Sequence, residues 1–475
     1  MAESGQSTGQ IRALVVIASY GQKNLPFLRR VIQTYQGMSM DVDVVVCSEA
    51  PKELGPEVKV IVGLPSRNPW SLPFAHKAVF AENAERYDVF IYTEDDMEVG
   101  EDKIHYFLRA AAVMEPDEIP GFLRYEVAPD GTKLLTDVHG AFHWKAESVR
   151  RRGDYTVAEF SNEHAGFYIL TRAQLKRAIA SGGFLKAPYE GRYGLPETAA
   201  TDPYTCCGFR KVICISALEK FLIRHMSNLY VGRLDVSLAS FQEQIRTLTQ
   251  IREGLHPATT LWQFEPKSWH YWWQKGYYEK PDGELLDMVP GDAQTILTIG
   301  CGWGATEARL KERGAAVTAL PLDSVIGAVA ARRGVEVIHG AWDQCLEALG
   351  ERRFDCVLVT NLLHLLPNPG DVLRQCARFV QAGGTLVLSG PNFDRVPWLL
   401  KRVFGASEFR DFRHFELSGI SVCGPGTLAT ALKAAGLRVS ALRWLNHSID
   451  GGWLRGARIP LGRLTARDWL LQARR

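Results

Sequence analysis

Features that would mark a membrane-spanning or disulfide-stabilised secreted protein are missing from this chain of 475 residues. No apolar run reaches the roughly 20 residues that a membrane-spanning helix needs. The polar start, Met1 to Gln10, lacks the basic and then apolar order of a secretion signal. The nine cysteines are scattered and form no Cys-x-x-Cys pair, so neither a zinc site nor a disulfide framework is predicted. We therefore expect a cytoplasmic protein with reduced thiols and a disordered segment at residues 1–10.

The chain also has no large excess of charge of one sign and no internal repeat. A net charge of +2 argues against nucleic acid as a partner. With 46% hydrophobic and 23% charged residues, the composition is that of a globular protein able to bury real cores. A chain of this length is too long for one ordinary domain. Two unlike domains are therefore predicted.

The most informative stretch is a glycine-rich turn between an apolar strand and a helix, within residues 295–311. Gly300, Gly302 and Gly304 follow the strand, and a Cβ at such positions would keep a ligand away from the backbone. The turn fits the Gly-x-Gly-x-Gly pattern of S-adenosylmethionine enzymes and, through Ala305, also the dinucleotide fingerprint. The turn alone leaves both cofactors open.

The segments after the turn favour the first cofactor. Residues 353–369 predict a strand that starts with Phe-Asp, ends near Asn361 and leads into Leu-Pro-x-Pro, and residues 382–392 predict a Gly-Gly hairpin. This order closely resembles the class I S-adenosylmethionine-dependent methyltransferase family over the last two fifths of the chain. The resemblance implies a Rossmann-like domain whose three glycines and Asn361 bind S-adenosylmethionine.

The chain departs from this family at three acidic positions. Thr298, Pro321 and Ala341 stand where the family carries acids before the glycine turn, at the ribose and near the adenine. Asp323 and Asp343 follow two residues later and could take over, because a carboxylate accepting ribose hydroxyls needs reach more than an exact register. Both could instead cap the following helices. The two roles stay open for Asp323, and the cap is favoured for Asp343.

Two histidines are candidates for the catalytic base of methyl transfer. His414, in residues 410–415, lies in a segment that resembles the one holding a histidine over the active site of small-molecule O-methyltransferases. His364 lies on the loop after the fourth strand and is the second candidate. Histidine suits proton removal from a hydroxyl because it titrates near neutral pH. A capping or salt-bridged histidine is the alternative for His414.

The N-terminal half begins with two predicted strands of an open α/β sheet. The first, at residues 11–18, ends in Ser19 and Tyr20, and the second, at residues 43–47, leads into Glu49. Ligands of such sheets lie beyond the carboxyl ends of the strands. We therefore expect Ser19, Tyr20 and Glu49 to contact a nucleotide.

A group of acids follows the next strand of this half. Glu94, Asp95 and Asp96 would repel one another unless a divalent cation neutralised them, and such a cation could also bridge a diphosphate. The arrangement resembles the Asp-x-Asp motif of GT-A glycosyltransferases, which bind a nucleotide-sugar donor through manganese or magnesium. The resemblance implies Glu94, Asp96 and His225 as metal ligands and Asp95 beside the nucleotide. A partly buried histidine without a metal is the alternative for His225.

The irregular, acidic stretch at residues 190–204 is where an inverting transferase would keep its base. Glu197 and Asp202 are equal candidates, and both could instead be turn or capping residues.

The predicted fold class is therefore α/β, with two Rossmann-like domains. We assign residues 11–233 to a GT-A glycosyltransferase domain, 234–264 to a linker helix, 265–442 to a class I methyltransferase domain and 443–475 to a basic tail. The tail could contact the inner face of a membrane peripherally. The expected function is sugar transfer from a nucleotide-sugar donor and methylation of a hydroxyl on a glycan or glycolipid. The alternatives are a degenerate methyltransferase half that only binds or scaffolds, and an NAD-dependent enzyme.

Overall fold

The computed structural model describes residues 10–233, 236–263, 273–403, 414–445 and 462–475. The chain divides into two compact units, one comprising Met1–Val138 and His143–Arg252 and the other His139–Phe142 and Glu253–Arg475. The predicted disorder at residues 1–10 lies outside the described residues, apart from residue 10 itself. Within the described ranges, no helix is both long enough and apolar enough to cross a membrane.

The first unit contains a five-stranded sheet of order β11-β4-β1-β2-β3. Its strands are β1 Arg12–Ala18, β2 Asp41–Ser48, β3 Val58–Val62, β4 Val89–Glu94 and β11 Phe167–Thr171. The first four strands are parallel, and β11 runs antiparallel to β4. The five central residues of β1 are all buried, as expected for a strand covered on both faces. The acids predicted to bind metal therefore lie at the carboxyl end of β4.

Two four-stranded sheets complete the strands of this unit. Their orders are β6-β12-β10-β9 and β5-β13-β7-β8. The strands are β5 Met97–Glu98, β6 Glu118–Pro120, β7 Leu123–Val127, β8 Lys133–Leu135, β9 Trp144–Arg152, β10 Tyr155–Phe160, β12 Arg210–Cys214 and β13 Leu222–His225. Because β13 pairs with both β5 and β7, the sheet places His225 opposite Met97.

Six α-helices lie in the described part of the first unit, and the predicted amphipathic face of the first is confirmed. They are α1 Leu25–Gln36, α2 Ala75–Glu82, α3 Glu101–Ala111, α4 Arg172–Ala180, α5 Leu195–Thr205 and α6 Leu238–Arg252. Helix α1 buries Leu28, Val31, Ile32 and Tyr35, the spacing of one helical face. Helix α6 is the predicted linker helix, and it belongs to the first unit.

The second unit is built on a seven-stranded sheet of order β16-β15-β14-β17-β18-β20-β19. Its strands are β14 Thr295–Cys301, β15 Ala316–Pro321, β16 Glu336–Val337, β17 Phe354–Thr360, β18 Val380–Pro391, β19 Arg438–Leu445 and β20 Asp468–Arg474. The first five strands in this order are parallel, whereas β20 is antiparallel to both of its neighbours. The predicted Rossmann-like α/β fold is confirmed for this half.

The boundary predicted at residue 442 was wrong, because the supposed tail supplies a strand of the sheet. Strand β20 lies between β18 and β19. Trp469, expected on a membrane-facing tail, is 1% exposed, and its Nε1 donates a hydrogen bond to the Pro391 carbonyl oxygen at 3.0 Å. Trp453, another tryptophan of that segment, lies outside the described residues.

The helices of the second unit connect these strands. They are α7 Gly283–Met288, α8 Ala305–Glu312, α9 Ser324–Arg332, α10 Trp342–Leu349, α11 Pro369–Ala377, α12 Val396–Val403, α13 Phe415–Ser418, α14 Pro425–Ala434 and α15 Gly462–Thr465. Helix α8 begins directly after the glycine turn, so the unit has the predicted strand, turn and helix in sequence.

Candidate functional sites

A cavity of about 300 Å³ opens in the second unit where β14 and β17 end. The predicted residues Gly300, Gly302, Gly304 and Asn361 all line it. Ligands of parallel α/β sheets bind outside the carboxyl ends of the strands. The structure therefore brings together the four residues that the sequence assigned to one cofactor site.

Asn361 is held at this cavity in an uncommon backbone conformation. Its φ is +48°, in the left-handed region that asparagine tolerates better than most residues. Its N–H donates to the carbonyl oxygen of Ser389 at 3.1 Å and to the Ser389 hydroxyl at 3.0 Å. A strained residue that its neighbours hold in place is a common feature of ligand sites.

The three glycines are required for different reasons. Gly300 and Gly304 each have a φ of +79°, which favours glycine. A Cβ at Gly302 would instead overlap the carbonyl oxygen of Tyr277. That oxygen also accepts a hydrogen bond from the N–H of Trp303 at 2.9 Å. The group that approaches Gly302 closely is therefore the Tyr277 carbonyl and not the ligand that the sequence predicted. Gly302 still lines the cavity.

Two oppositely charged side chains that the sequence analysis missed also line the cavity. Lys275 is 2% exposed, and its Nζ donates to Glu279 Oε2 at 2.8 Å. Glu307, in the first turn of α8, is 7% exposed, and burial raises the pKa of its carboxyl group. The signal for Glu307 was its place three residues after Gly304, at the start of the helix that follows the turn.

Thr298 replaces the acid that the resembled family carries before the glycine turn. It lines the cavity and is almost fully buried, and its side chain interacts with the Glu307 carboxyl group and favours the charged form of that group. The cavity thus offers a hydroxyl, an ammonium and a carboxylate to a polar ligand.

Neither histidine predicted to act as a base lines this cavity. His364 is 1% exposed, its Nε2 donates to the Trp273 carbonyl oxygen at 2.8 Å, and burial lowers its pKa to about 4. His414 is exposed, just before α13. The preceding part of its predicted segment, residues 404–413, lies outside the described residues. The structure does not bring either base to the cofactor residues.

Asp323 caps a helix instead of facing the cavity. Its Oδ1 accepts a hydrogen bond from the N–H of Ile326 at 2.8 Å at the start of α9, and it does not line the cavity. Asp343 is exposed in the first turn of α10. Of the two roles left open for Asp323, the structure shows the cap, which Asp performs well.

In the first unit, Asp96 and His225 come together as predicted. Asp96 Oδ2 lies 3.1 Å from His225 Nε2, and Glu126 Oε1 lies 2.7 Å from His225 Nδ1. Burial opposes the charge on both groups, but their mutual interaction outweighs it, so the pKa of Asp96 is lowered and that of His225 is raised. Glu126 was missed because a single acid in β7 gives no sequence signal.

Asp95 is fixed beside Ser19 at the carboxyl ends of β1 and β4. Its carboxylate accepts hydrogen bonds from the Ser19 hydroxyl at 2.7 Å and from Asn24 Nδ2 at 2.8 Å. Burial raises the pKa of Asp95. Asn24, at the start of α1, is a further polar group that the sequence analysis did not assign to the site.

The other two residues predicted to contact a nucleotide lie on the adjoining loops. Glu49 Oε1 accepts a hydrogen bond from the N–H of Gly21 at 2.9 Å, so it holds the turn after β1. Tyr20 is 56% exposed. Tyr20 and Glu49 thus lie just after β1 and β2, as the sequence predicted. Their contact with a nucleotide stays a prediction.

Glu94 does not join Asp96 and His225 in a three-residue metal site. Its carboxylate lies against Gly166, and burial raises its pKa to about 7. Over the described ranges, no group of three or more His, Cys, Asp or Glu side chains is placed to hold a metal ion. The pair of Asp96 and His225 is what the structure preserves of the predicted metal ligands.

The two predicted bases of sugar transfer, both in α5, have different surroundings. Asp202 is fully buried, forms an ion pair with Lys77 and accepts a hydrogen bond from the Tyr189 hydroxyl at 2.7 Å. An acceptor hydroxyl has no access to a carboxylate in that position. Glu197 is partly exposed in the first turn of α5, and its charge acts on Tyr230, whose ring stacks on His225.

Comparison with known proteins finds similarities within the second unit. Residues 297–388 match the family described as a methyltransferase domain. The ubiquinone biosynthesis O-methyltransferase of Pseudomonas paraeruginosa is 28% identical over 200 residues, which cover 38% of this chain and 83% of that protein. The enzyme of the same name from Nitrosomonas europaea is 26% identical over 193 residues, covering 38% and 82%.

Two solved structures are similar to part of this chain. An S-adenosylmethionine-dependent methyltransferase from Archaeoglobus fulgidus has 16% identity and a TM-score of 0.31, over 39% of this chain and 87% of that one. An N-methyltransferase from Bradyrhizobium japonicum in complex with S-adenosyl-L-homocysteine has 18% identity and a TM-score of 0.28, over 40% and 83%.

Proposed function

We infer that the second unit, which contains a class I S-adenosylmethionine-dependent methyltransferase domain, binds this cofactor at the glycine turn and methylates a hydroxyl group. The observation that carries this proposal is the coincidence of the family match with the cavity. Residues 297–388 include most of β14, the glycine turn, α8 and β17, which form much of the cavity wall.

The charged residues of the cavity fit the amino-acid end of S-adenosylmethionine, whose sulfonium supplies the methyl group. That end carries an ammonium and a carboxylate, and the cavity presents Glu307 and Lys275, which have the opposite charges. The first turn of α8 adds backbone N–H groups that favour an anion. In our proposal Lys275 binds the carboxylate and Glu307 binds the ammonium, with the Thr298 side chain beside Glu307.

A hydroxyl is the proposed acceptor because the curated relatives are named as O-methyltransferases. The finer proposal, that this hydroxyl belongs to a glycan or glycolipid, rests on the function proposed below for the first unit. If one unit makes the substrate of the other, fusion raises the effective concentration of that substrate. Purified protein supplied with S-adenosylmethionine should then methylate the product of the first unit.

Isothermal titration of the full chain with S-adenosylhomocysteine tests the proposed cofactor. We expect binding by the wild type and a loss of about tenfold or more in Glu307→Gln, since a hydrogen bond to a charged group contributes about 1.5–3 kcal/mol. The matched control is Glu312→Gln, an exposed carboxylate on the same helix that pairs with Arg309. No heat from the wild type, together with none from variants that loosen the segment before the glycine turn, would favour the alternative of a degenerate binding module.

A second function, metal-dependent sugar transfer from a nucleotide-sugar donor, is our proposal for the first unit. Support comes from the contacts of His225 with Asp96, which follows β4, and with Glu126 of β7. Asp96 and His225 would hold a manganese or magnesium ion, with Glu126 orienting the imidazole. The ion would neutralise the donor diphosphate, whose oxygens would supply further ligands. Glu197 is the candidate base in this proposal.

A thermal-shift panel of nucleotide sugars, with and without manganese, tests this second function. We expect one donor to stabilise the protein only when manganese is present. The GT-A resemblance predicts this behaviour for the first unit. Stabilisation by NAD instead would favour the alternative of a dinucleotide enzyme.

A further inference from the structure

A short segment before the glycine turn lies at the carboxyl end of β15 in the cofactor sheet. It comprises residues 259–262, and we refer to it as the strap. The N–H of Leu261 donates to the carbonyl oxygen of Leu322 at 2.9 Å, and the N–H of Trp342 donates to the carbonyl oxygen of Leu261 at 3.0 Å. The strap therefore joins the residue that follows β15 to the first residue of α10.

A second pair of hydrogen bonds fixes the start of the strap. The N–H of Ser324 donates to the Thr259 carbonyl oxygen at 2.9 Å, and the N–H of Thr259 donates to the Ser324 hydroxyl at 3.2 Å. Leu261 is 2% exposed. The ring of Trp262 lies on that of Trp342, with centroids 4.5 Å apart.

The strap occupies the place where this kind of sheet binds a nucleoside. In doubly wound sheets the phosphate or equivalent group lies at the first glycine turn, and the ribose lies at the end of the next strand. That next strand is β15, and its end is covered by Leu261. A nucleoside base that bound there through main-chain groups would use the Trp342 N–H as donor and the Leu322 carbonyl oxygen as acceptor. Leu261 now pairs with both of these groups.

The shape of the cavity agrees with this coverage. Its walls come from β14, the glycine turn, β17, β18 and residues 275–285, and no residue between 316 and 349 lines it. The cavity therefore covers the region proposed for the amino-acid end of S-adenosylmethionine. It ends where the nucleoside of that cofactor would lie. Asp323, the acid nearest to this edge, is already used as a helix cap.

Among the described residues, the contacts that hold the strap are the buried Leu261 side chain, the ring stack of Trp262 and four hydrogen bonds through backbone atoms, besides the bridge between Thr260 and Asp323. The Thr259 hydroxyl is buried without a partner among the described residues, which weakens the closed arrangement further. A ligand that supplies its own contacts at β15 and α10 can therefore compete with the strap.

We propose that the strap is an autoinhibitory contact: residues 259–262 occupy the nucleoside half of the cofactor site, and a nucleoside cofactor binds only after they leave the end of β15 and the start of α10. The proposal rests on the function inferred for the second unit. When only a fraction of the molecules has the strap displaced, the apparent affinity for the cofactor is reduced in proportion to that fraction. Loosening the strap should therefore tighten binding without adding any contact to the ligand.

Titration of the full chain with S-adenosylhomocysteine and with 5′-methylthioadenosine, which has the nucleoside but no amino-acid end, tests the proposal. Leu261→Pro removes the N–H that bonds Leu322, and Trp262→Ala removes the ring stack on Trp342. We expect both variants to bind both ligands at least about tenfold more tightly than the wild type. Ala258→Ser, an exposed change just outside the strap, is the matched control and should bind like the wild type.

Hydrogen exchange gives a readout that does not depend on affinity. Saturating S-adenosylhomocysteine should protect the amides of the glycine turn in the wild type and speed exchange at Leu261, whose N–H loses the Leu322 carbonyl oxygen as its partner. Trp262→Ala should show fast exchange at Leu261 without ligand. Protection of Leu261 by the ligand would mean that the strap stays in place, and it would overturn the proposal.

The outcomes separate the strap from the cofactor proposal. Binding by the variants but not by the wild type supports a strap that keeps the site closed. Equal affinities in all four proteins overturn the strap and leave the cofactor proposal standing. No binding in any protein, with unfolding curves unchanged from the wild type, refutes both the cofactor and the strap.

Discussion

The imidazole Nε2 of His225 lies 3.1 Å from Oδ2 of Asp96. The same ring contacts Glu126 through Nδ1, so one histidine joins two carboxylates from β7 and the loop after β4. Metal-binding histidines commonly use one nitrogen for the metal and the other for an orienting carboxylate. This arrangement is the reason for proposing that a metal replaces the direct contact between Asp96 and His225.

Asp96→Ala should abolish the manganese-dependent stabilisation of the protein by its nucleotide-sugar donor. One of the two protein ligands is lost, and the remaining histidine cannot hold the ion alone. The measurement is the thermal-shift panel described above. Glu98→Gln, a nearby carboxylate that pairs with Arg30 and Arg224, is the control and should keep the response. An unchanged manganese effect in Asp96→Ala would exclude this metal site.

Glu126→Gln should weaken manganese binding by about 10- to 100-fold, as expected when an orienting partner is lost. The same change should lower the pKa of His225, because the hydrogen bond to Glu126 helps to raise it. Manganese titration followed by electron paramagnetic resonance, and a proton NMR titration of His225, measure the two effects. A lower pKa with unaltered manganese affinity would separate Glu126 from the metal.

The sequence predicted Asp96 and His225 but could not predict Glu126. An acid at the end of an apolar strand is visible in the sequence, because the end of the strand predicts the edge of the sheet. The contact of Glu126 with His225 depends on the pairing of β7 with β13, about a hundred residues further along the chain. Such long-range pairing is set by tertiary packing and leaves no local pattern.

Asp202→Asn should destabilise the first unit by about 3–5 kcal/mol, because it leaves the buried Lys77 ammonium without its partner. The apolar double variant Lys77→Met/Asp202→Leu should recover most of this stability. Urea unfolding measures both. If Asp202→Asn were as stable as the wild type yet inactive in sugar transfer, the buried residue would be the base after all.

Glu197→Gln should reduce sugar transfer while preserving the stability of the first unit, in contrast to the destabilisation expected for Asp202→Asn. Loss of a general base typically costs about 10²- to 10⁴-fold in rate, and Glu197 has few buried contacts to lose. Donor turnover and urea unfolding, measured on the same preparation, test this expectation. Glu190→Gln, in the same acidic stretch, is the control. Normal turnover in Glu197→Gln would exclude it as the base.

Gly302→Ala should destabilise the second unit by about 1–3 kcal/mol and weaken S-adenosylhomocysteine binding, because its Cβ would overlap the Tyr277 carbonyl oxygen. Calorimetry and urea unfolding measure the two effects. Gly426→Ala, near the start of α14, is the control, since a Cβ there meets nothing within 4 Å. Unaltered stability in Gly302→Ala would show that residues 276–277 do not hold the turn.

The glycine turn and its strands were predicted from sequence, whereas β20 and the strap were not. The turn combines a buried strand, closely spaced glycines and a helix start within about twenty residues, so its signal is local. Strand β20 inserts between β18 and β19, so it pairs with a strand that is distant in the chain as well as with its predecessor, and the arginines of its segment suggested a surface tail. The strap contacts Leu322 and Trp342 through backbone atoms, which carry no side-chain signal.

Lowering the pH from neutral to about 5 should destabilise the second unit partly through His364. Burial lowers the folded-state pKa of this histidine from 6.5 to about 4. Between these values the unfolded chain binds a proton that the native protein does not, so stability falls as the pH falls. The slope approaches about 1.4 kcal/mol per pH unit and vanishes above the unfolded pKa.

His364→Gln, which keeps a donor for the Trp273 carbonyl, should show a shallower dependence of stability on pH. Urea unfolding, followed by hydrogen exchange of second-unit peptides at both pH values, measures it. His414→Gln, an exposed change, is the control. Equal slopes in His364→Gln and the wild type would mean that His364 is protonated in the native protein.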